Sequence, residues 1–261
     1  MLQTFIDFAN GLADEAAQMA AVASATVPGT MVKADRTFVT ALDLDIERRL
    51  RARIQAAYPG HGIVGEEFAA ESADAQWVWT LDPIDGTMAL VAGIPVYSTL
   101  ISLSQWGVPV IGVMHFPAIQ TRWVGAKASP TTCNGVVCRT RAGGALKDAV
   151  QSASSPDFFS AGDEKRALDA LTAQTAWRIY GAAALSYGRL AMGRIDLAID
   201  AGLKVYDYAP FVPIVEGAGG MITDWAGRPI TLKSGSRVLA AGDARRHAAA
   251  LAVIQAHVAR D

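Results

Sequence analysis

Cysteine, histidine and concentrated basic charge are all scarce in this chain. Two cysteines in 261 residues, Cys133 and Cys138, build no disulfide framework and fit a reduced, cytoplasmic protein. Four histidines with no close spacing argue against a zinc site. Lys and Arg number 23 against 25 Asp and Glu, without a basic run or stripe, so nucleic acid is not an expected partner. No apolar run is long enough to cross a bilayer, so no membrane partner is expected. The first basic residue is Lys33, and Asp7, Asp14 and Glu15 interrupt the apolar start, which is not the pattern of a secretory signal. There is no internal repeat and no low-complexity linker. What is present is a chain 51% hydrophobic, enough for a sizeable core in one large domain or two fused halves.

Periodicity organises that apolar content. Phe5, Phe8, Leu12, Ala16 and Met19 predict a helix over about 3–25, followed by a loop rich in Pro28, Gly29 and Asp35. Leu42, Ile46, Leu50 and Ile54 predict a second helix, with Thr40 and Asp43 as its capping pair and "PGHG" as its end. "WVWTL" reads as a buried strand. "YSTLISLSQ" and "VPVIGVMHF" read as an antiparallel hairpin turning at Trp106-Gly107. Beyond residue 145, "LSYGRLAMG" reads as helix and "RIDLAID" as strand. "YDYAPFVPIVEGAGG" reads as one helix kinked at Pro213 and capped by Gly219-Gly220, before the strand "MITDW". A last helix starts from Asp243 as N-cap. This order predicts layered sheets and helices. An N-terminal α+β half over 1–145 would carry the acidic loops, and a C-terminal α/β half over 146–261 would complete the site.

The stretch "LDPIDGT" sets Asp82 and Asp85 at the exit of the buried strand. Two ionised carboxylates there repel each other and lose hydration. A divalent cation answers both problems, and carboxylates with a backbone carbonyl are hard ligands suited to Mg²⁺ at roughly 2.0–2.1 Å. Pro83 stiffens the loop, Gly86 lets N–H groups approach an anion, and a helix starting near Thr87 would add its dipole. The plainer alternative is a turn with Asp at both ends. Glu66 and Glu67 in "IVGEEF", Asp207 at a helix start in "VYDYAP" and Asp43 in a first helical turn each have ordinary structural readings of their own.

Taken in order, "VTALD", "GEE", "DPIDGT", "YD" and "IVEGAGG" resemble the inositol monophosphatase superfamily of Mg²⁺-dependent phosphomonoesterases, from about Lys33 to Arg228. The resemblance implies an α/β/α/β/α layered sandwich, commonly dimeric and lithium-sensitive. It implies one metal on Glu66, Asp82 and the carbonyl of Ile84, a second on Asp82, Asp85 and Asp207, and Asp43 beside a weaker third. Thr87 with Glu66 would orient the attacking water, and the N–H groups of Gly86 and Thr87 would grip the phosphate. A member that had lost activity and serves as a binding protein would show a missing ligand, and every acidic position here is filled.

The C-terminal half leans toward the histidinol-phosphatases of that superfamily through "GLKVYDYAPFVPIVEGAGG" and "TDWAGRPI". One position departs: Ala183 in "GAAALSY" stands where those enzymes commonly place an Asp against the substrate amine. Asp200 lies where inositol phosphatases place an acid on sugar hydroxyls. Histidinol phosphate is therefore the leading expectation, with inositol monophosphate or a related polyol phosphate as the alternative. Two other phosphatase patterns are incomplete. "CNGVVCR" spaces Cys133 and Arg139 like a cysteine phosphatase but lacks the preceding histidine, and reads as a hairpin loop. "LDLDIE" resembles an aspartyl-phosphate motif but ends in Glu47 and carries helical periodicity.

Overall fold

The computed structural model describes residues 2–23, 30–32 and 38–258. The first periodic segment forms α1 (Leu2–Ala23), buried along Phe5, Leu12 and Ala16. Residues 24 and 25 of the predicted helix lie outside the described residues. Part of the expected loop is a short antiparallel ribbon, β1 (Thr30–Val32) with β2 (Phe38–Thr40); Pro28, Gly29 and Asp35 fall outside the described residues. Thr40 then caps α2 (Ala41–Ala57). Its side chain accepts from the Asp43 N–H while Asp43 accepts from the Thr40 N–H, the reciprocal box expected of that pair.

A seven-stranded sheet follows in sequence order: β3 (Gly62–Gly65), β4 (Trp77–Asp85), β5 (Ser98–Gln105), β6 (Val108–Phe116), β7 (Thr121–Ala126), β8 (Ser129–Cys133) and β9 (Val136–Val137). β3 and β4 pair in parallel and the later neighbours antiparallel. The predicted β5–β6 hairpin is present, and Trp106 and Gly107 both take positive φ, 52° and 77°, as a type I′ turn requires. "CNGVVCR" forms the β8–β9 hairpin through Asn134 and Gly135, also at positive φ. The second sheet holds β10 (Val150–Ala153), β11 (Trp177–Tyr180), β12 (Leu197–Asp200), β13 (Met221–Asp224) and β14 (Val238–Ala241), in the order β11-β10-β12-β14-β13. The remaining helices are α3 (Thr87–Val91), α4 (Asp163–Ala173), α5 (Leu185–Ala191), α6 (Val205–Tyr208), α7 (Phe211–Gly217) and α8 (Ala244–Gln255).

Three apolar clusters separate five layers, so the fold is an α+β layered sandwich. Phe5, Leu12 and Leu50 of α1 and α2 pack on Trp79, Leu81 and Ile101 of the first sheet. Tyr187, Phe211 and Ile214 of α5 and α7 fill the space between the sheets, against Met114 and Trp123 on one side and Ala198 and Ala240 on the other. Leu168 and Ile254 of α4 and α8 cover the outer face of the second sheet. The two sheets divide between Val137 and Val150, while the middle cluster draws on both.

One predicted element differs. "YDYAPFVPIVEGAGG" is two short helices, α6 and α7, and the break falls at Ala209-Pro210. Pro213 does not kink α7, because it sits at the third helical position, where its missing N–H is one that finds no intrahelical acceptor anyway. The glycine cap is as expected: the N–H groups of Gly219 and Gly220 reach the carbonyls of Glu216 and Val215, with Gly219 at φ 94°. Asp243 caps α8 by accepting from the Arg246 N–H.

Candidate active site

β4 does not stop at Leu81. It runs on through Asp82, Pro83 and Ile84 to Asp85, and its register against β5 slips between the two aspartates. Pro83 has no N–H to give to a ladder, and its carbonyl accepts from Thr99 Oγ1 at 2.9 Å. Such a bulge re-aims successive side chains and leaves Asp82 and Asp85 close together. Gly86 at φ 78° then turns the chain into α3, which starts at Thr87 and has only five residues.

The other acids arrive from separate elements. Glu66 follows β3 and is held beside β4 by its N–H on the Leu81 carbonyl at 3.1 Å. Asp43 is fully buried in the first turn of α2, with Oδ2 accepting from the Thr40 N–H at 2.8 Å and the Thr40 hydroxyl at 2.5 Å. Asp207 occupies the third position of α6, one turn later than the helix start expected for it, and accepts from the Lys204 N–H at 2.7 Å. Thr87 Oγ1 bridges Asp43 Oδ1 at 3.3 Å and the Ile84 carbonyl at 3.1 Å.

Asp82 is the centre of this group. Burial pushes its carboxyl well above the ordinary range, and Glu66, Asp85, Asp207 and Asp43 push it further. Burial raises Asp85 to about 6, although the Ser98 hydroxyl and the Ala184 N–H both donate to it. Burial raises Asp207 to about 8 against the Lys204 N–H, and its side chain meets that of Asp82. Asp82 is 3% exposed, and its Oδ1 has no hydrogen-bond partner. These are hard oxygen donors around an unsatisfied buried carboxylate, which is chemistry that suits a small divalent cation. Among the described residues, no three His, Cys, Asp or Glu side chains already stand as a finished ligand group.

Asp200 ends β12 beside this group and is also buried, at 1% exposure. Its Oδ1 accepts from the Ser154 N–H at 2.7 Å and its Oδ2 from the Tyr187 hydroxyl at 2.9 Å. Burial still raises it to about 6. Tyr187 stacks on Phe211 at 3.9 Å, so the acid is tied to the middle core. Ala183 is half-buried with φ 42° and precedes Ala184, whose N–H reaches Asp85; the loop expected to face the substrate is thus joined to the acidic strand end.

Sequence reasoning missed Glu47, read only as a mismatch to a decoy motif. Glu47 is fully buried and accepts from the Glu67 N–H at 2.7 Å, the Phe68 N–H at 3.3 Å and Arg51 Nε at 2.7 Å. A Cβ on Gly65 would collide with its carboxylate, so the loop before Glu66 passes this close only because residue 65 is glycine. The available signal was the Glu47–Arg51 spacing of four in one helix, which more often marks a solvated pair.

The model of the inositol monophosphatase family matches residues 1–259. A bifunctional phosphatase of Arabidopsis thaliana is 37% identical over 234 residues, covering 86% of this chain and 67% of that protein. A histidinol-phosphatase of Mycobacterium tuberculosis is 35% identical over 202 residues, covering 75% of this chain and 77% of its own length. The solved structure of an inositol monophosphatase from Zymomonas mobilis is 38% identical with a TM-score of 0.88, over 97% of this chain and 98% of that one. No helix among the described residues is long and apolar enough to cross a membrane. The chain belongs to the inositol monophosphatase family, and with it to the phosphoric monoester hydrolases.

Proposed function

We propose that the chain hydrolyses a small phosphate monoester with Mg²⁺ and water, and that histidinol phosphate is its substrate. The observation that carries the catalytic reading is the buried Asp82, with one oxygen unpartnered and four other acids raising its carboxyl. Glu66, Asp82 and the Ile84 carbonyl would hold one ion, Asp82, Asp85 and Asp207 a second, with Asp43 beside a third. When bound, the ions would polarise water and neutralise charge on the phosphate and leaving oxygen.

The chain's own groups supply positioning. The Thr87 hydroxyl has its single proton directed at Asp43 and the Ile84 carbonyl. Its lone pairs are then free to accept from a water, which fixes that water with its own lone pair turned away from Thr87. Glu66 would take the second contact to the same water. The Ile84 carbonyl keeps a second lone pair for an ion. The N–H groups of Gly86 and Thr87 sit at a positive-φ turn, where Gly86 brings no side chain of its own against an approaching phosphate oxygen.

Histidinol phosphate is supported by the "GLKVYDYAPFVPIVEGAGG" stretch that carries Asp207, and by relatives named as histidinol-phosphatases. One observation favours inositol phosphate as the second reading: Ala183 supplies no carboxylate to meet a substrate amine. The experiment is a panel of phosphate esters assayed with Mg²⁺ and with chelator. Activity that survives thorough chelation overturns the mechanism. Inositol 1-phosphate hydrolysed at least tenfold more efficiently than histidinol phosphate overturns the substrate. Ala183→Asp sharpens the choice, since Asp tolerates the left-handed backbone at this position better than Ala does. It should lower KM for the amine-bearing substrate alone.

A further inference from the structure

Among the described residues six buried side-chain atoms lack a hydrogen-bond partner, and four of them stand together: Asp82 Oδ1, Thr80 Oγ1, Ser102 Oγ and Ser104 Oγ. β4 and β5 place all four on one face. Side chains alternate along a strand, so Thr80 and Asp82 share one side of β4. Ser102 pairs directly with Thr80, and Leu100 with Asp82, so these share that side as well. The intervening Trp79, Leu81, Ile101 and Leu103 point the opposite way, into the core under α1 and α2. The shared side faces the middle layer, because Leu100 belongs to that core and Asp82 meets Asp207 of α6. On β6 the residue opposite Ser102 is Gly112, where a Cβ would collide with the Pro210 carbonyl. Backbone therefore closes this part of the face.

Thr80, Ser102 and Ser104 are fully buried, and a buried hydroxyl without a partner is costly. Same-face Cα atoms on a strand lie about 6.6–6.8 Å apart, two residues at about 3.3–3.4 Å each, so side chains leaning toward each other by roughly 1 Å bring their oxygens within the roughly 5.6 Å that one water spans with two hydrogen bonds. We propose that Thr80 and Ser102 hold a buried water against the Asp82 carboxylate, with Ser104 extending the chain away from it, and that Thr80 and Ser102 are thereby positioning residues for the acidic site. The water accepts from a hydroxyl and donates to Asp82. A carboxylate oxygen has a further lone pair for a cation, so the same contact sets how Asp82 presents itself. The positioning role rests on the Mg²⁺ reading of the site; the water does not.

The test is a melting cycle on chelated protein: Thr80→Val, Ser102→Ala and the double variant. With a shared water, each single variant lowers Tm by about 2–4 °C, and the double falls by less than the sum. Dry hydroxyls give the opposite sign: Val replaces Thr at nearly equal size and removes an unpaired group, so Tm rises and the effects add. That rise overturns the proposal. The second readout is calorimetric titration with Mg²⁺ alone. Thr80→Val should weaken binding about tenfold, and Thr80→Ser, which keeps the hydroxyl, should restore it. Unchanged Mg²⁺ affinity in Thr80→Val overturns the positioning role. Wild-type protein that takes up no Mg²⁺ overturns the metal reading and the positioning role with it, while the melting cycle still decides the water.

Discussion

Asp82 and Asp196 are both buried aspartates, 3% and 1% exposed, and their surroundings are opposite. Asp196 opens β12 from the loop side and is held by Arg141 through Nε at 2.9 Å and Nη2 at 2.5 Å, by Arg246 Nη1 at 2.9 Å and by the Val150 N–H at 2.8 Å. Burial pushes its carboxyl up, but those bonds and the two guanidinium charges together outweigh it, and the group ends below its ordinary range. Asp82 has burial working in the same direction as four neighbouring acids and ends well above its range. A buried charge needs a counter-charge. Asp196 finds its own within the chain, where it ties the segment after β9 to the second sheet. Among the described residues Asp82 is surrounded by more of its own sign, and the proposed cation would supply its counter-charge.

The largest expected effect follows directly. Asp82→Asn should lower kcat about a thousandfold or more, since it removes the acid shared by both proposed ions and the loss of one well-placed electrostatic group alone costs roughly 10²–10³. Chelated Asp82→Asn should melt no lower than chelated wild type, because the substitution relieves like-charge repulsion. Mg²⁺ should stabilise wild type by about 2.7 kcal/mol at a hundred times its Kd, and this gain should vanish in the variant. A variant with near-normal turnover, or one still stabilised by Mg²⁺, would break the contrast between the two aspartates.

Asp196→Asn should do the reverse. Breaking a buried pair costs about 3–5 kcal/mol, here chiefly through the buried Arg246, and Tm should fall on the order of 10 °C. Turnover per folded molecule should hold. The pH dependence has a definite sign. The folded carboxyl is lowered relative to an unfolded value of about 3.9, so its contribution is fully present above that value and is lost as pH falls through the folded one. The Tm gap between wild type and Asp196→Asn should be constant above about pH 4 and close below it, by scanning calorimetry across pH. A gap that widens on acidification would contradict the pairing.

Glu47 tests whether support behind the acids matters as much as the acids. Glu47→Gln keeps the shape but weakens the grip on the Glu67 and Phe68 N–H groups and on Arg51. Outer partners of metal-binding residues typically contribute 10–100-fold, so kcat/KM should fall about tenfold or more, with Mg²⁺ affinity falling alongside. Wild-type kinetics in this variant would reduce Glu47 to a packing residue.

Asp82 and Asp85 stood out from one short stretch, because a proline that leaves the ladder and a glycine that turns mark where the two acids leave a buried strand. Asp43, Glu66 and Asp207 have ordinary structural readings on their own and joined the candidate set only through the family resemblance. The features that escaped are those set by contacts between distant segments. Glu47 looks like a solvated helical charge until β3 is laid against it. Thr80 and Ser102 look like ordinary strand residues until β4 and β5 are paired in register and α6 closes over them. Pro213 suggested a kink because its position within the helix could not be read before the break at Pro210 was known. The ribbon of β1 and β2 has three residues a side, too few for a period to register.

The smallest effect lies at the far end of the same hairpin strands that carry the hydroxyl column, and it scales the others. The β5–β6 turn puts Trp106 at φ 52°, a conformation that costs a bulky residue strain and costs Asn little. The β8–β9 turn uses Asn134-Gly135 in the same place, the pair a type I′ turn favours. Trp106 is 70% exposed, so its ring contributes little burial to offset the strain. Its own N–H donates to the Gln76 carbonyl at 2.8 Å, a bond that any residue but proline preserves. Trp106→Asn should therefore raise stability by about 0.5–1 kcal/mol, or roughly 1–4 °C in Tm, with turnover and Mg²⁺ affinity unchanged. The measurement is thermal melting with and without Mg²⁺. A loss of stability would mean that the exposed ring has a packing role that its exposure conceals. A change in Mg²⁺ affinity would mean that strain at the turn travels along β5 to Ser102, and the small shifts expected of the hydroxyl variants would then need this turn as their reference.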